Sequence, residues 1–136
     1  METEGVRERI LRMAKDDYNR IVCIILTYLY ARIKGKTEEK PEVYLQPMTK
    51  DFPVSEEYFA FVLENMLKDG YIDGIKFIRA WGGDVINISG MASIRITAEG
   101  IQYLCENSGM RKVLEWLRDN AVSLPGMVTT VLSILN

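Results

Sequence analysis

The chain has 136 residues, 17 of them basic and 19 acidic, with no histidine and a formal net charge of −2. That length reads as one domain, and an apolar content of 48% is enough to build a core without disulfide or metal staples. The missing histidine excludes Ser-His, Cys-His and HExxH chemistry, and the balanced charge argues against a surface built mainly for phosphate.

Residues 1–12 mix Arg7, Arg9 and Arg12 with Glu2, Glu4 and Glu8 and place Val6, Ile10 and Met13 at roughly helical spacing. They read as a flexible or helical N-terminal extension. Asp16 and Asp17 supply the negative charge that a helix N-terminus favours. The first strong helix follows, from about Tyr18 to Lys34, and it is apolar nearly all round. Such a helix belongs at the centre of a core or in a subunit interface. Its longest apolar run, Ile21 to Ala31, falls short of the roughly 20 residues that a membrane span needs. The charged N-terminus has no apolar signal-peptide core, so a cytoplasmic location is expected.

Gly35, Pro41, Pro47 and Pro53 punctuate a linker over residues 35–53. Lys50-Asp51-Phe52 is the candidate for a short second helix. Ser55 is a good N-cap for a helix over residues 56–68, whose Phe59, Val62, Leu63, Met66 and Leu67 give it a core face. Gly70 stops it. A strand from Tyr71 to Ala80, a turn at Trp81-Gly82-Gly83-Asp84 and a return strand from Val85 to Ile88 form a β-wing. Ser89 to Ala92 interrupts the pattern and Ser93 to Ile96 completes it. Thr97 caps the helix over residues 98–107, and Gly100, one turn in, marks a close approach to a neighbour. Asn107-Ser108-Gly109 reads as a helix stop. Amphipathic helices over Met110–Asn120 and Met127–Leu135 follow. Cys23 and Cys105 both lie in apolar helical patterns and read as buried, reduced thiols.

No catalytic, cofactor or metal constellation emerges, so a non-enzymatic protein is expected. Glu56-Glu57 are adjacent on a helix and point about 100° apart; they read as first-turn charges favoured by the helix dipole. If Ser55 opens a recognition helix, its outer face carries Glu57, Phe61, Glu64 and Lys68. Residues 41–69 hold two basic residues (Lys50, Lys68) against six acidic ones (Glu42, Asp51, Glu56, Glu57, Glu64, Asp69), which a phosphate-lined groove repels. Candidate nucleic-acid contacts therefore fall on the wing, at Lys76, Arg79, Trp81 and Arg95. Ser55, Gly70, Thr97 and Gly100 are candidate structural residues.

Met13-Ala14-Lys15-Asp16-Asp17-Tyr18, Ile25-Leu26-Thr27-Tyr28-Leu29-Tyr30, Asp69-Gly70-Tyr71-Ile72-Asp73-Gly74, Ile96-Thr97-Ala98-Glu99-Gly100-Ile101-Gln102-Tyr103-Leu104 and Leu124-Pro125-Gly126 recur here in order and at matching spacing. Over about residues 13–136 the chain resembles the YjcQ-like proteins, small winged-helix proteins of Gram-positive bacteria and their prophages. The resemblance implies an α+β winged helix with a DNA-related role; it carries over no catalytic residue. The expected layout is an extension over 1–12, a winged-helix domain over 13–108 and a C-terminal helical extension over 109–136. Two functions follow as expectations: a prophage-type DNA-associated regulator, or a winged helix that has lost DNA binding and serves as a protein-interaction or assembly module. A pocket around the aromatic first helix is a third. Candidate partners are double-stranded DNA, another protein and a second copy of the chain as a homodimer; a membrane is not among them.

Overall fold

A helix without a polar stripe has to be surrounded. The computed structural model, which describes the backbone of residues 2–79 and 85–120, surrounds it: every residue from Ile21 to Ala31 is buried. These residues lie in α1 (Glu2–Ile33), which packs against several other elements described below. The sequence placed the start of this helix near Tyr18, yet it runs unbroken from Glu2. The only buried polar residue in the stretch, Thr27, lies 3.9 Å from Cys23 Sγ across one helical turn. The apolar faces of α1 between Ile21 and Ala31 are thus consumed by its own chain, and they leave no surplus surface there to support a homodimer.

The second helix is α2 (Pro41–Tyr44), opened by a proline whose missing N–H costs nothing at that position. The expected helical turn at Lys50-Asp51-Phe52 does not form. Phe52 and Thr49 instead close a tight turn, with Thr49 N–H donating to the Phe52 carbonyl at 3.2 Å and Phe52 N–H to Thr49 Oγ1 at 3.3 Å. Phe52 is wholly buried within an aromatic ladder. Ring centroids run Tyr28 to Tyr44 at 4.5 Å, Tyr44 to Phe52 at 5.4 Å and Phe52 to Phe59 at 5.2 Å. The ladder ties α1 to α2, the following loop and α3 (Glu56–Lys68), which is why the loop cannot spare Phe52 for a helix.

α3 ends in a Schellman motif. Gly70, at φ +82°, donates to Leu67 and Tyr71 donates to Met66. The chain then enters a hairpin in two ladders: β1 (Ile72–Asp73) against β4 (Arg95–Ile96), and β2 (Lys76–Arg79) against β3 (Val85–Ser89). The single strand expected from Tyr71 to Ala80 is therefore broken. Ile72 pairs with Ile96, whereas Lys76, four residues on, pairs with Ser89, seven residues back. The three extra residues on the return strand are a 3₁₀ turn, Met91–Ser93. Gly74 (φ +92°) and Gly90 (φ +86°) make the break possible. A Cβ on Gly74 would lie 2.0 Å from the Ser93 carbonyl oxygen, and one on Gly90 would lie 2.5 Å from that of Gly74.

α4 (Ala98–Glu106) and α5 (Ser108–Asn120) complete the described chain. Asn107 joins them as more than a stop. Its N–H donates to Tyr103 to end α4, while its Oδ1 accepts from Met110 N–H at 3.0 Å to start α5. Ser108 and Gly109 thus open a helix. The faces of α1 are covered by α3, α4, α5 and β4. The architecture is α+β, compatible with a winged-helix-like fold carrying a C-terminal helix. The second C-terminal helix expected over Met127–Leu135, and the turn at Trp81, lie outside the described residues. Among the described residues, no helix is long and apolar enough to cross a membrane.

Candidate functional site

α3 turns Phe59, Val62, Leu63 and Met66 into the core. Its helical period therefore leaves Glu57, Phe61 and Lys68 exposed and Glu64 half-buried. Ser55 fixes where this pattern starts, because its Oγ accepts from Tyr58 N–H at 3.1 Å. Glu56 and Glu57 occupy the first turn, where the helix dipole stabilises them.

The start of α3, α2 and the β2–β3 ladder enclose an open cleft of about 830 Å³. Its apolar lining includes Leu45, Phe59, Phe61, Ile88 and Met91, and its carboxylates are Glu42, Glu56, Glu57 and Glu64. Phe61 is 53% exposed although it is a large aromatic. It is braced from behind, edge-on to Tyr18 at 6.3 Å and stacked with Tyr58 at 6.1 Å. Met91 comes from the 3₁₀ turn, which packs against α2. The glycine-dependent break in the hairpin therefore supplies part of the cleft.

Among the described residues that line the cleft, Arg79 is the only Lys or Arg, and it forms an ion pair with Glu64. That pair fastens the hairpin to α3. Arg95 lies on the other ladder, opposite Asp73, and binds that carboxylate at 2.5 Å. This bond and the Asp73 charge raise the Arg95 pKa. Lys76 is exposed on β2, and strand alternation sends it to the opposite face from Arg79. The candidate nucleic-acid residues Lys76, Arg79 and Arg95 do not share one face, and Trp81 lies outside the described residues.

The structural candidates converge instead. Thr97 Oγ1 accepts from Gly100 N–H at 3.0 Å and donates to the Gly70 carbonyl, while its own N–H donates to Tyr71 at 3.0 Å. Three of the four candidates, Gly70, Thr97 and Gly100, thus meet at the junction of α3, β1 and α4.

Tyr28 and Tyr30 of α1 are buried in the hydrophobic core. Tyr28 donates to the Glu39 carbonyl, which also accepts from Arg32 at 2.9 Å. Tyr44 donates to Asp51 at 2.6 Å, and burial together with this bond pushes its hydroxyl pKa far upward. Burial raises the Cys23 thiol to about 12, so it is not a nucleophile near neutral pH. Cys105 is only half-buried, and burial followed by the Glu106 charge raises its pKa also. Among the described residues, no group of three or more acidic or cysteine side chains is placed to hold a metal ion.

Sequence reasoning saw the acidic outer face of α3 but missed the cleft. Glu42 and Met91 are distant in sequence from Glu57 and Phe61. The signal available was Gly74 within the first strand and Gly90 at the start of the Met91–Ser93 stretch that fits no strand. The family model described as YjcQ protein matches residues 23–119. No curated protein and no solved structure matches the chain.

Proposed function

The chain belongs to the YjcQ protein family, and on that premise we propose a non-enzymatic, winged-helix-like module that works by binding another protein rather than by reading duplex DNA with α3. One observation carries this reading. The face that a recognition helix would offer to a major groove, Glu57, Phe61, Glu64 and Lys68, opens for most of its length on a cleft whose described lining holds four glutamates against one arginine, itself paired to Glu64. Duplex DNA carries one negative charge per ~1.7 Å of helix axis, so such a face meets repulsion along its length. A DNA-associated regulator would have to rely on Lys76, Arg79, Arg95 and Trp81, the last outside the described residues. Two of those cations already have carboxylate partners.

Titration of the chain against a labelled random duplex at low and high salt tests the reading. Anisotropy should stay near that of the free duplex at moderate salt. Salt-sensitive binding that is abolished by Arg79→Ala with Arg95→Ala would establish the DNA-associated function instead.

A further inference from the structure

The cleft has the properties of a docking groove, and its charge selects the occupant. Phe61 offers about half of a phenyl ring to solvent on a rigid helix, backed by two tyrosines that hold it in place. Met91, a side chain that adapts its shape readily, faces the same space. Glu42, Glu56 and Glu57 surround these apolar contacts, and no ion pair with any of the three is found among the described residues. A groove with an apolar base and an uncompensated acidic rim complements a segment with an apolar stripe flanked by cations.

Resting on the protein-binding reading above, we propose that this cleft receives a cationic amphipathic segment of a partner protein. The partner's apolar side chains cover Phe61 and Met91, and its Lys or Arg side chains reach Glu42, Glu56 and Glu57. The Arg79–Glu64 pair fixes the separation of the hairpin and α3 walls. Glu64→Gln would remove one carboxylate from the groove and the ion pair with Arg79, and lower affinity for such a segment.

The test uses the full chain and a labelled amphipathic helical peptide of Leu and Lys, with a counterpart that carries Glu in place of every Lys. The Leu/Lys peptide should bind with an affinity that falls with added salt, and the Glu peptide should not bind. Glu56→Gln with Glu57→Gln, and separately Phe61→Ala, should each weaken binding at least about tenfold, which corresponds to about 1.4 kcal/mol, while each variant still melts in one cooperative transition well above the assay temperature. Glu115→Gln on α5 is the control for general acidity and should leave affinity unchanged. Amide shifts on titration should centre on Ala60, Phe61 and Met91. Equal losses from the cleft and control variants, or shifts centred elsewhere, overturn the docking assignment. So does concentration-dependent self-association that Phe61→Ala abolishes, because the occupant is then a second copy. Duplex DNA binding that Glu57→Gln strengthens would instead overturn the protein-binding reading itself.

Discussion

Gly100 lies against the backbone of Tyr71: a Cβ at position 100 would come within 2.2 Å of the Tyr71 carbonyl oxygen and 2.8 Å of Ile96 Cγ1. α4 therefore crosses the exit of α3 with no room for a side chain. Alanine would gain about 1 kcal/mol of helix propensity over glycine. Overpacking typically costs about 1–3 kcal/mol, and here the obstacle is backbone that cannot rotate away. Gly100→Ala should therefore be net destabilising, and Gly100→Val more so. The denaturation midpoint reads both.

Thr97 holds the same junction through two hydrogen bonds of one hydroxyl, accepted from Gly100 and donated to Gly70. Thr97→Ser keeps that hydroxyl and should melt within a few degrees of the parent. Thr97→Val keeps the shape but loses the cap, at about 1 kcal/mol, and leaves the Gly70 carbonyl without this donor. If the serine and valine variants lose equal stability, the methyl group matters and the hydroxyl does not.

The break in the hairpin depends on Gly74 and Gly90. An L-residue at Gly74 would adopt φ near +92° with its Cβ 2.0 Å from the Ser93 oxygen. Gly74→Ala should cost more than the roughly 1–2 kcal/mol of left-handed strain alone. It should also displace the Met91–Ser93 turn, visible as amide shifts at Met91, and weaken peptide binding at the cleft. A variant with unshifted Met91 and unchanged stability would refute this role.

Alkaline pH should destabilise the protein through one buried and one partly buried group. Burial raises the Cys23 thiol from 9.0 to about 12, and Tyr44 is raised from 10.0 by burial and by its bond to Asp51. Both favour the protonated form in the folded state. Their stabilisation is complete below pH 9, begins to fade there through Cys23, and fades further above pH 10 as the unfolded Tyr44 ionises. The melting temperature should fall between pH 9 and 12. Cys23→Ala should be less stable at neutral pH yet show a shallower alkaline decline; an unchanged slope would remove Cys23 from the explanation.

We propose that residues 1–12 are dispensable. α1 is continuous from Glu2, but Val6 is 51% exposed and a Cβ on Gly5 would meet nothing within 4 Å. The continuous burial begins at Ile21. A chain beginning at Met13 should melt within a few degrees of the full chain. A larger loss, or strong amide protection at Ile10 and Leu11, would show a docked segment.

Much of this architecture is local and therefore legible. The period of Phe59, Val62, Leu63 and Met66 specifies which face of α3 is buried, and Ser55 specifies where the helix begins. The apolar run from Ile21 to Ala31 demands a central position whatever covers it. Asn107 reads correctly as the end of α4, but that it also starts α5 is not legible, because its sequence neighbours do not show that one residue does both. Phe52 was assigned to a helix because its ring partners, Tyr44 and Phe59, are seven or eight residues away and invisible to a helical period.

Sequence alone determined the helix faces, the caps, the acidic character of α3 and the absence of histidine chemistry, because each depends on residues within a turn or two of one another. Tertiary structure decided where the charges meet. It turned Arg79 toward Glu64 and Arg95 toward Asp73, and it brought Glu42 and Met91 to the side of Phe61. Those pairings depend on how the chain crosses itself between α2 and the broken hairpin. A three-residue turn admitted by Gly74 and Gly90 shapes that crossing, and no periodicity records it.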